Sequence, residues 1–271
     1  MHAITTKRSC YYLIVILILF LSLNACRGRQ SMSDRPQYPT VNEKVLKGKA
    51  RTSLDSPQPT ASQLTRKAKS IAAIKELGLP FSENLPVVED EASIAPRSPE
   101  EVAERTLALA ISAVKGESND QRLIDSLITR YAAKQLFTPA ELAFITNPSP
   151  TQQQLTDFAW QYECVHVLLW ALGHIEKLQP PNQICDVPGE ISIIRDLGRE
   201  KLSSTAHPRP LSEILDQADL YYRLHWAAIE LRIDGKSSDK ANEEIIDERH
   251  KALNWLIRYM GQNWDDITTD T

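Results

Sequence analysis

The chain has 271 residues, of which 31 are Lys or Arg and 35 are Asp or Glu, for a formal net charge of −4 at pH 7. Residues 1–63 hold nine basic and three acidic side chains, so residues 64–271 hold 22 basic and 32 acidic ones, a net charge of −10. Phosphate binding needs clustered positive charge, and so acidic a segment argues against nucleic acid as its partner.

Residues 1–25 have the pattern of a secretory signal peptide. Two basic residues precede an apolar run that ends at Leu23. The run is too short for a comfortable membrane-spanning helix, which needs about 20 apolar residues. The sequence Leu-Asn-Ala-Cys that ends at Cys26 resembles a bacterial lipobox, in which Asn24 is a tolerated departure. The resemblance implies lipidation of Cys26 after cleavage, and an uncleaved signal anchor is the alternative.

Residues 26–63 are predicted to be a flexible, basic tether. They are rich in Pro, Ser, Thr and Gln, bury too little apolar surface to fold, and carry a net charge of +4 that suits anionic lipid head groups. A triacylated Cys26 exceeds the two-chain threshold for stable membrane attachment. Arg27 stands where an Asp would retain a lipoprotein in the inner membrane in enterobacterial-type sorting. We therefore expect a lipid-anchored protein of the bacterial cell envelope, in the outer rather than the inner membrane.

Residues 64–271 have the length of one domain and the punctuation of an all-α fold. Capping boxes begin at Ser98 and Thr138, each with Pro at the first helical position. Apolar residues recur at helical spacing, and no strand alternation of useful length is present. The predicted helices occupy residues 64–78, 100–116, 120–134, 139–147, 151–178 and 190–202, followed by two long helices with apolar stripes at 220–231 and 246–260.

The helix over residues 151–178 is predicted to be the buried centre of the domain, because residues 164–172 are apolar on all sides. The stripe of the last helix ends at Met260, and Gly261 is placed to be its C-terminal stop. We expect a single multi-helix domain packed around the central helix.

Glu163 and His166 form a Glu-x-x-His pattern, which puts a carboxylate and an imidazole on one face of the central helix. Di-iron bundles use two such motifs and two further Glu, and this chain has one motif. We therefore predict no metal and no cofactor, and interpret both side chains as buried groups satisfied by their neighbours. Cys164 and His166 point to different faces of the helix, which disfavours a thiol nucleophile.

The two long C-terminal helices carry further polar residues. Asp219, Arg223 and Trp226 lie along one stripe, where Arg223 can pair with Asp219 four residues earlier or reach an acid on another element. Arg249 and His250 lie in the apolar stripe of the last helix, where a cation requires a partner.

The closing residues, Asn-Trp-Asp-Asp-Ile-Thr-Thr-Asp-Thr, are predicted to fold back onto the domain. Trp264 would dock on the core, and Asp265, Asp266 or Asp270 would pair with an arginine of the two preceding helices. Calcium binding by these oxygens is the alternative, although the spacing of an EF-hand loop is absent.

Cys164 and Cys185 are the thiols of the mature body. In an exported protein they could form a disulfide, because the seven residues before and including Cys185 would just return along a helix that reaches residue 178. Free, buried thiols are the default expectation.

Several blocks of the sequence resemble the DUF4272 family, a domain of unknown function, over about residues 66–271. The blocks are KELGLPFSENLP, RSPEEVAERTLAL, WQYECVHVLLWALGHIEKL with ICD, EILDQADLYYRLHWAAIE and ERHKALNWLIRYMGQNWDDITTDT. The resemblance implies a mostly helical domain without an established activity. Its recurrent polar and aromatic positions fall on Glu163, Trp170, Asp219, Arg223, Trp226, Arg249, His250, Trp255, Trp264, Asp265, Asp266 and Asp270, and no catalytic role carries over. The signal and lipobox depart from the family, many of whose members look cytosolic.

Two classes of function stay open. The leading hypothesis is a non-enzymatic binding or scaffolding lipoprotein with a protein partner or small ligand. The alternative is an enzyme, or a ligand- or metal-binding protein, whose pocket gathers Glu163, Arg223, Trp226, His250 and the C-terminal Asp cluster. Convergence of these residues on one open cleft would favour the alternative, and their burial in mutual pairs would favour the first. A third idea, an immunity-type protein that binds a basic toxin, has only the acidic charge behind it.

Overall fold

The structure, a computed structural model, describes residues 58–271. These residues form α-helices joined by loops and short 3₁₀ turns, with no β-strand among them, which confirms the predicted all-α fold class. The helices are α1 (Ala61–Glu76), α2 (Pro99–Ser118), α3 (Gln121–Tyr131), α4 (Pro139–Thr146), α5 (Gln152–Trp160), α6 (Tyr162–Ala171), α7 (Val187–Ser204), α8 (Leu211–Ile233) and α9 (Glu243–Leu256). The predicted signal peptide, Cys26 and most of the predicted tether lie outside the described residues. None of the helices described has the length and apolarity that crossing a bilayer requires.

Helix α6 is the buried centre of the domain, as predicted. Every residue from Tyr162 to Ala171 is buried. Helix α2 packs on one part of its surface and α9 on another, while α8 packs on α9 and also on α1. Because α6 is apolar on all sides, covering it from several directions removes more apolar surface from water than a one-sided contact would.

The predicted central helix over residues 151–178 is wrong in its continuity and in its end. The chain forms two helices, α5 and α6, separated at Gln161, and α6 ends at Ala171. Gly173 has a left-handed φ of +80°, and its N–H donates to the carbonyl of Trp170 at 2.9 Å. The next N–H, that of His174, donates to the carbonyl of Leu169 at 3.0 Å, which completes a Schellman motif.

The sequence predicted that α2 ends at Gly116, and this prediction is wrong. The helix continues to Ser118, and Asn119 ends it with a φ of 47°. At Gly116 the backbone of α5 crosses so closely that a Cβ would lie 2.5 Å from the nitrogen of Ala159 and 2.7 Å from the carbonyl of Leu155. Glycine is required here for the approach of two helices rather than for a turn.

The last helix ends at Leu256 and not at Gly261. Arg258 adopts a left-handed φ of 54°, and its side chain donates to the carbonyl of Ala95 at 2.9 Å and to both carboxylate oxygens of Glu101. Met260, predicted on the buried stripe, is 73% exposed because it lies beyond this break. Smaller shifts affect α1, which begins at residue 61 rather than 64, α3, which ends at 131 rather than 134, and α7, which begins at 187 rather than 190.

The start of α1 is fastened to a later segment of the chain. Thr60 caps the helix in a capping box with Gln63. The Thr60 hydroxyl also donates to Asp90 at 2.6 Å, and the Gln63 amide donates to the carbonyl of Val88 at 2.7 Å. The first turn of α1 is therefore held by side chains as well as by packing.

Gly173, at the end of α6, and Gly235 form a matched pair that tests close packing at Gly173. Gly173 and Gly235 both have a left-handed φ, but a Cβ would lie 2.3 Å from the carbonyl of His207 at Gly173 and would touch nothing within 4 Å at Gly235. Each substitution by Ala costs about 1 kcal/mol for the backbone conformation. We expect Gly173→Ala to lower the free energy of unfolding by a further ~1–3 kcal/mol through overpacking. Equal losses for the two variants in urea denaturation would contradict the packing role of Gly173.

Candidate functional site

Arg249 of α9 is the most extensively bonded buried side chain of the predicted cluster. It is fully buried, and its Nε and Nη2 each lie 2.8 Å from Oε2 of Glu163 on α6. Its nitrogens also donate to the hydroxyl of Tyr221 at 2.9 Å and to the carbonyls of Gln179 at 2.6 Å and Gln183 at 2.9 Å. Burial lowers the pKa of Arg249, but the contacts with Tyr221 and Glu163 outweigh burial and raise it. We call these five residues the Arg249 network.

His166 is neutral and hydrogen-bonded on both sides. Its Nε2 accepts from the backbone N–H of Gln179 at 3.0 Å, so the proton is on Nδ1, which donates to Oε1 of Glu190 at 2.6 Å. Burial and the nearby charge of Arg249 lower the pKa of His166 to about 4. Burial and the nearby Glu163 raise the pKa of Glu190 to about 9. Glu190 therefore keeps its proton at neutral pH, and the contact is a hydrogen bond between neutral groups.

Both residues of the Glu-x-x-His pattern are buried and hydrogen-bonded to protein groups, as the sequence analysis interpreted them. Glu163 is 1% exposed, and its second oxygen accepts from the backbone N–H of Cys185 at 2.9 Å. Glu163 and His166 bond to different protein groups: Glu163 to Arg249 and Cys185, and His166 to Glu190 and Gln179. Within residues 58–271 there is no group of three or more His, Cys, Asp or Glu placed to hold a metal ion.

Arg223 pairs within its own helix. Its Nε and Nη2 each donate to one oxygen of Asp219 at 2.9 Å, and Nη2 also donates to the carbonyl of Pro86 at 2.8 Å. Both side chains are at most 2% exposed. Trp226 is partly buried and packs against the apolar core, and the guanidinium of Arg223 faces the ring of Tyr222 instead, 5.6 Å from its centroid.

The C-terminal tail docks through Trp264, as predicted. The indole is 4% exposed and meets Trp255 edge-on, with ring centroids 5.6 Å apart. Asp265 accepts from the backbone N–H of Ala140 at 3.1 Å, in the first turn of α4, where a negative charge is favoured. The tail is held further by Asn254, which donates to the carbonyl of Thr268 at 2.9 Å.

The predicted pairing of the tail acids with Arg223 or Arg249 is wrong. These arginines have closer acids, Asp219 and Glu163, inside the domain. Asp265 bonds to a helix N-terminus, and Asp266 is exposed, with no side-chain hydrogen bond in the part of the chain described. The tail is fastened mainly by its indole and its backbone rather than by ion pairs.

His250 and Asp270 meet at a cavity of about 320 Å³, which Tyr222, Tyr259 and Glu89 also line. Nδ1 of His250 lies 3.1 Å from Nδ1 of His225, so one ring donates and the other accepts. Burial and the neighbouring His225 lower the pKa of His250 to about 3. Glu163, Arg223 and Trp226 do not line this cavity, so the polar residues named from the sequence do not converge on one open cleft.

Cys164 and Cys185 are both free and buried, so the possible disulfide does not form. The Cys164 thiol donates to a carboxylate oxygen of Glu248 at 3.0 Å, whereas Cys185 belongs to a separate apolar cluster with Tyr162 and Val187. The early end of α6 places the two thiols in different environments. Burial raises the pKa of both thiols well above the usual value, which makes them poor nucleophiles.

A second cavity, of about 490 Å³, lies between α1 and α8 and is also lined by the loop of residues 176–181. We call it the α1–α8 cleft. Its polar lining includes Arg66, Ser70 and Asp216, and its apolar lining includes Leu220 and Leu224. Unlike the Arg249 network, this cleft combines open volume with charged side chains.

Sequence reasoning missed the acid partner of His166 and the charged residues of the cleft. In both cases the sequence places a polar residue on a helix face that is otherwise apolar. Glu190 lies three residues after Val187 and four before Ile194, on the buried face of α7. Arg66 and Ser70 share a buried face of α1 with Ile74. A charged residue in a buried stripe predicts a specific partner, but nothing local identifies that partner.

The comparisons with known proteins support one statement. A family model described as "Domain of unknown function (DUF4272)" matches residues 66–267. No curated protein and no solved structure matches the chain at a significant level.

The pair of His166 and Glu190 predicts a pH dependence of stability. The folded-state pKa of Glu190, about 9, is above its value of 4.5 outside the fold, so its contribution is complete below pH 4.5 and is lost as the pH rises through 9. Glu190→Gln keeps the acceptor oxygen and cannot ionise. From pH 5.5 to 8, we expect the free energy of unfolding of the wild type to fall relative to this variant by about 1.4 kcal/mol per pH unit.

Urea denaturation at both pH values measures this difference. The control is Glu244→Gln, at an exposed position of α9, which should shift stability equally at both pH values. Parallel pH profiles for the wild type and Glu190→Gln would show that Glu190 is ionised in the folded protein.

Proposed function

We propose that the chain, which belongs to the DUF4272 family, is a lipoprotein of the cell envelope whose helical domain is a binding module rather than an enzyme. The binding role rests on the α1–α8 cleft, a cavity of about 490 Å³ that is lined by both apolar and charged side chains. Small-molecule sites have this combination.

The use of the buried polar residues supports binding over catalysis. Glu163, His166 and Arg249 are at most 1% exposed, and each is bonded to protein groups on more than one side. A general acid or base must come within hydrogen-bond reach of a substrate proton. These groups instead hold helices and a loop together. The alternative of an enzyme pocket keeps only His250 and Asp270 at a common cavity.

The envelope location rests on the N-terminal sequence. The basic and apolar signal, the lipobox that ends at Cys26, and the net charge of +4 between residues 27 and 63 together fit a protein that is tethered to an anionic membrane surface. Arg27 favours the outer membrane. In this arrangement the acidic domain would be presented at the end of the tether.

Lipidation is tested with the full chain in a bacterial host that is fed labelled palmitate. We expect label on the wild type and its recovery with outer membranes, and no label on Cys26→Ala, because the acyl chains need that thiol. Cys10→Ala, which removes the other cysteine of the signal region, is the control and should keep the label. Label on Cys26→Ala would refute the lipobox.

The binding role is tested by native mass spectrometry of the full-length lipoprotein, purified from its own membranes in mild detergent. We expect a stoichiometric small molecule or protein that denaturation releases, and that has the same mass after prolonged incubation with the protein. Conversion of the released molecule to a product would support the enzyme alternative. Release of nothing from any preparation would contradict the binding role.

A further inference from the structure

The α1–α8 cleft is lined by both polar and apolar residues. Trp170, Leu220 and Leu224 belong to its apolar lining, here called the floor, and Arg66 and Ser70, one turn apart on α1, belong to its polar lining. Its volume of about 490 Å³ is within the range of about 300–1,000 Å³ that small-molecule sites have. A ligand that matches both kinds of lining has an apolar body and a polar head.

Arg66 is the group that points to the charge of that head. It is 4% exposed, and its Nε donates to Asp216 at 3.1 Å. Its Nη1 is buried without a partner, and within residues 58–271 its Nη2 also makes no hydrogen bond. The outer edge of a guanidinium matches the two oxygens of a carboxylate or phosphate. This edge is left uncommitted inside the wall of a cavity.

Ser70 supplies a second uncommitted donor next to Arg66. The residue is 4% exposed and lines the same cleft, and its hydroxyl makes no hydrogen bond in the described part of the chain. Nη1 of Arg66 is a buried polar atom without a partner, and such an atom destabilises a fold. Water could satisfy both groups, but water would gain nothing from the apolar floor beside them.

The local charge is suited to an anion although the domain is acidic. The lining contains four cations, Arg66, Lys69, Lys177 and Arg209, against three acids, Glu176, Glu213 and Asp216. Lys69 binds the second oxygen of Asp216 at 2.6 Å, so two cations share that carboxylate. Arg209 is committed to the carbonyls of Ile175 and Glu176. Arg66, by contrast, keeps two guanidinium nitrogens without a hydrogen-bond partner in the described residues.

We propose that the α1–α8 cleft binds a small amphipathic organic anion, with its carboxylate or phosphate on Arg66 and Ser70 and its apolar body on the floor. The inference rests on the proposed binding function and specifies the chemical class of the ligand. Free fatty acids and alkyl phosphate monoesters have this chemistry in common, and a comparison of the two head groups distinguishes them.

The test is calorimetric titration of the full-length lipoprotein in neutral detergent with octanoate, octyl phosphate, octanol and octyltrimethylammonium. We expect saturable binding of octanoate or octyl phosphate, at least about tenfold tighter than that of octanol, because a charged head gains two charge-assisted hydrogen bonds. Octyltrimethylammonium should not compete. The tighter of the two anions identifies the preferred head group.

Matched variants assign the binding to the cleft. Arg66→Gln should weaken binding of the preferred anion about tenfold and change binding of octanol less than twofold. Arg232→Gln also removes an arginine with one acid partner, Glu243, but lies outside the cleft, and should change neither. For a given probe, partition into micelles is the same for every variant and cancels in the comparison of variants.

Ser70→Ala keeps the test valid if Arg66→Gln does not fold, because the Ser70 hydroxyl is bonded to no protein group described here. We expect it to weaken binding of the anion about two- to fivefold and to leave the melting temperature unchanged. Equal affinity for octanol and the anions, tighter binding of the cation, or unchanged affinity in both variants would overturn the proposal. A protein that releases a different stoichiometric ligand in mass spectrometry, yet binds neither anion, would retain the binding function and lose this inference.

Discussion

The buried ion pair between Glu163 and Arg249 is the constraint on which most of the domain depends. Withdrawing two such charges from water costs several kcal/mol per ion, and removing one partner typically destabilises a protein by about 3–5 kcal/mol. The pair is therefore tolerated only where every remaining hydrogen-bonding site is filled. Here the filling groups come from α8, through Tyr221, and from the loop carbonyls of Gln179 and Gln183. One guanidinium thus sets the relative positions of three helices and a loop.

The same loop connects this interior network to the cleft. Gln179 gives its carbonyl to Arg249, gives its N–H to His166, and is also part of the cleft wall. Tyr221 likewise bonds to Arg249 and lines the cleft. A rigid backbone on one side of a cavity reduces the conformational freedom that a ligand must remove when it binds. The buried charges therefore support the candidate site without touching a ligand themselves.

The helix starts and the burial of apolar segments could be predicted from the sequence. The side chains that pair with each other across the fold could not. The helices capped by Ser98 and Thr138 follow from capping boxes whose residues are three positions apart. The burial of α6 and the docking of Trp264 follow from apolar character. By contrast, Gly116 and Gly173 were informative only through elements that approach them in space. The partners of Arg249 and Arg66 lie 86 and 150 residues away in the chain, and no spacing rule reaches that far.

The cap at Thr60 has a mechanical consequence. A pull on the preceding chain, of the kind that an attached membrane would exert, enters the domain at the hydrogen bonds that join Thr60 and Gln63 to Asp90 and Val88. If those bonds fail, the load passes to α1, which would peel from α8 one turn at a time. Because α1 carries Arg66 and Ser70, peeling would dismantle one wall of the cleft. Under the proposed attachment and binding, force on the chain before Thr60 and occupancy of the cleft would act on the same contacts, and a bound molecule would resist extension.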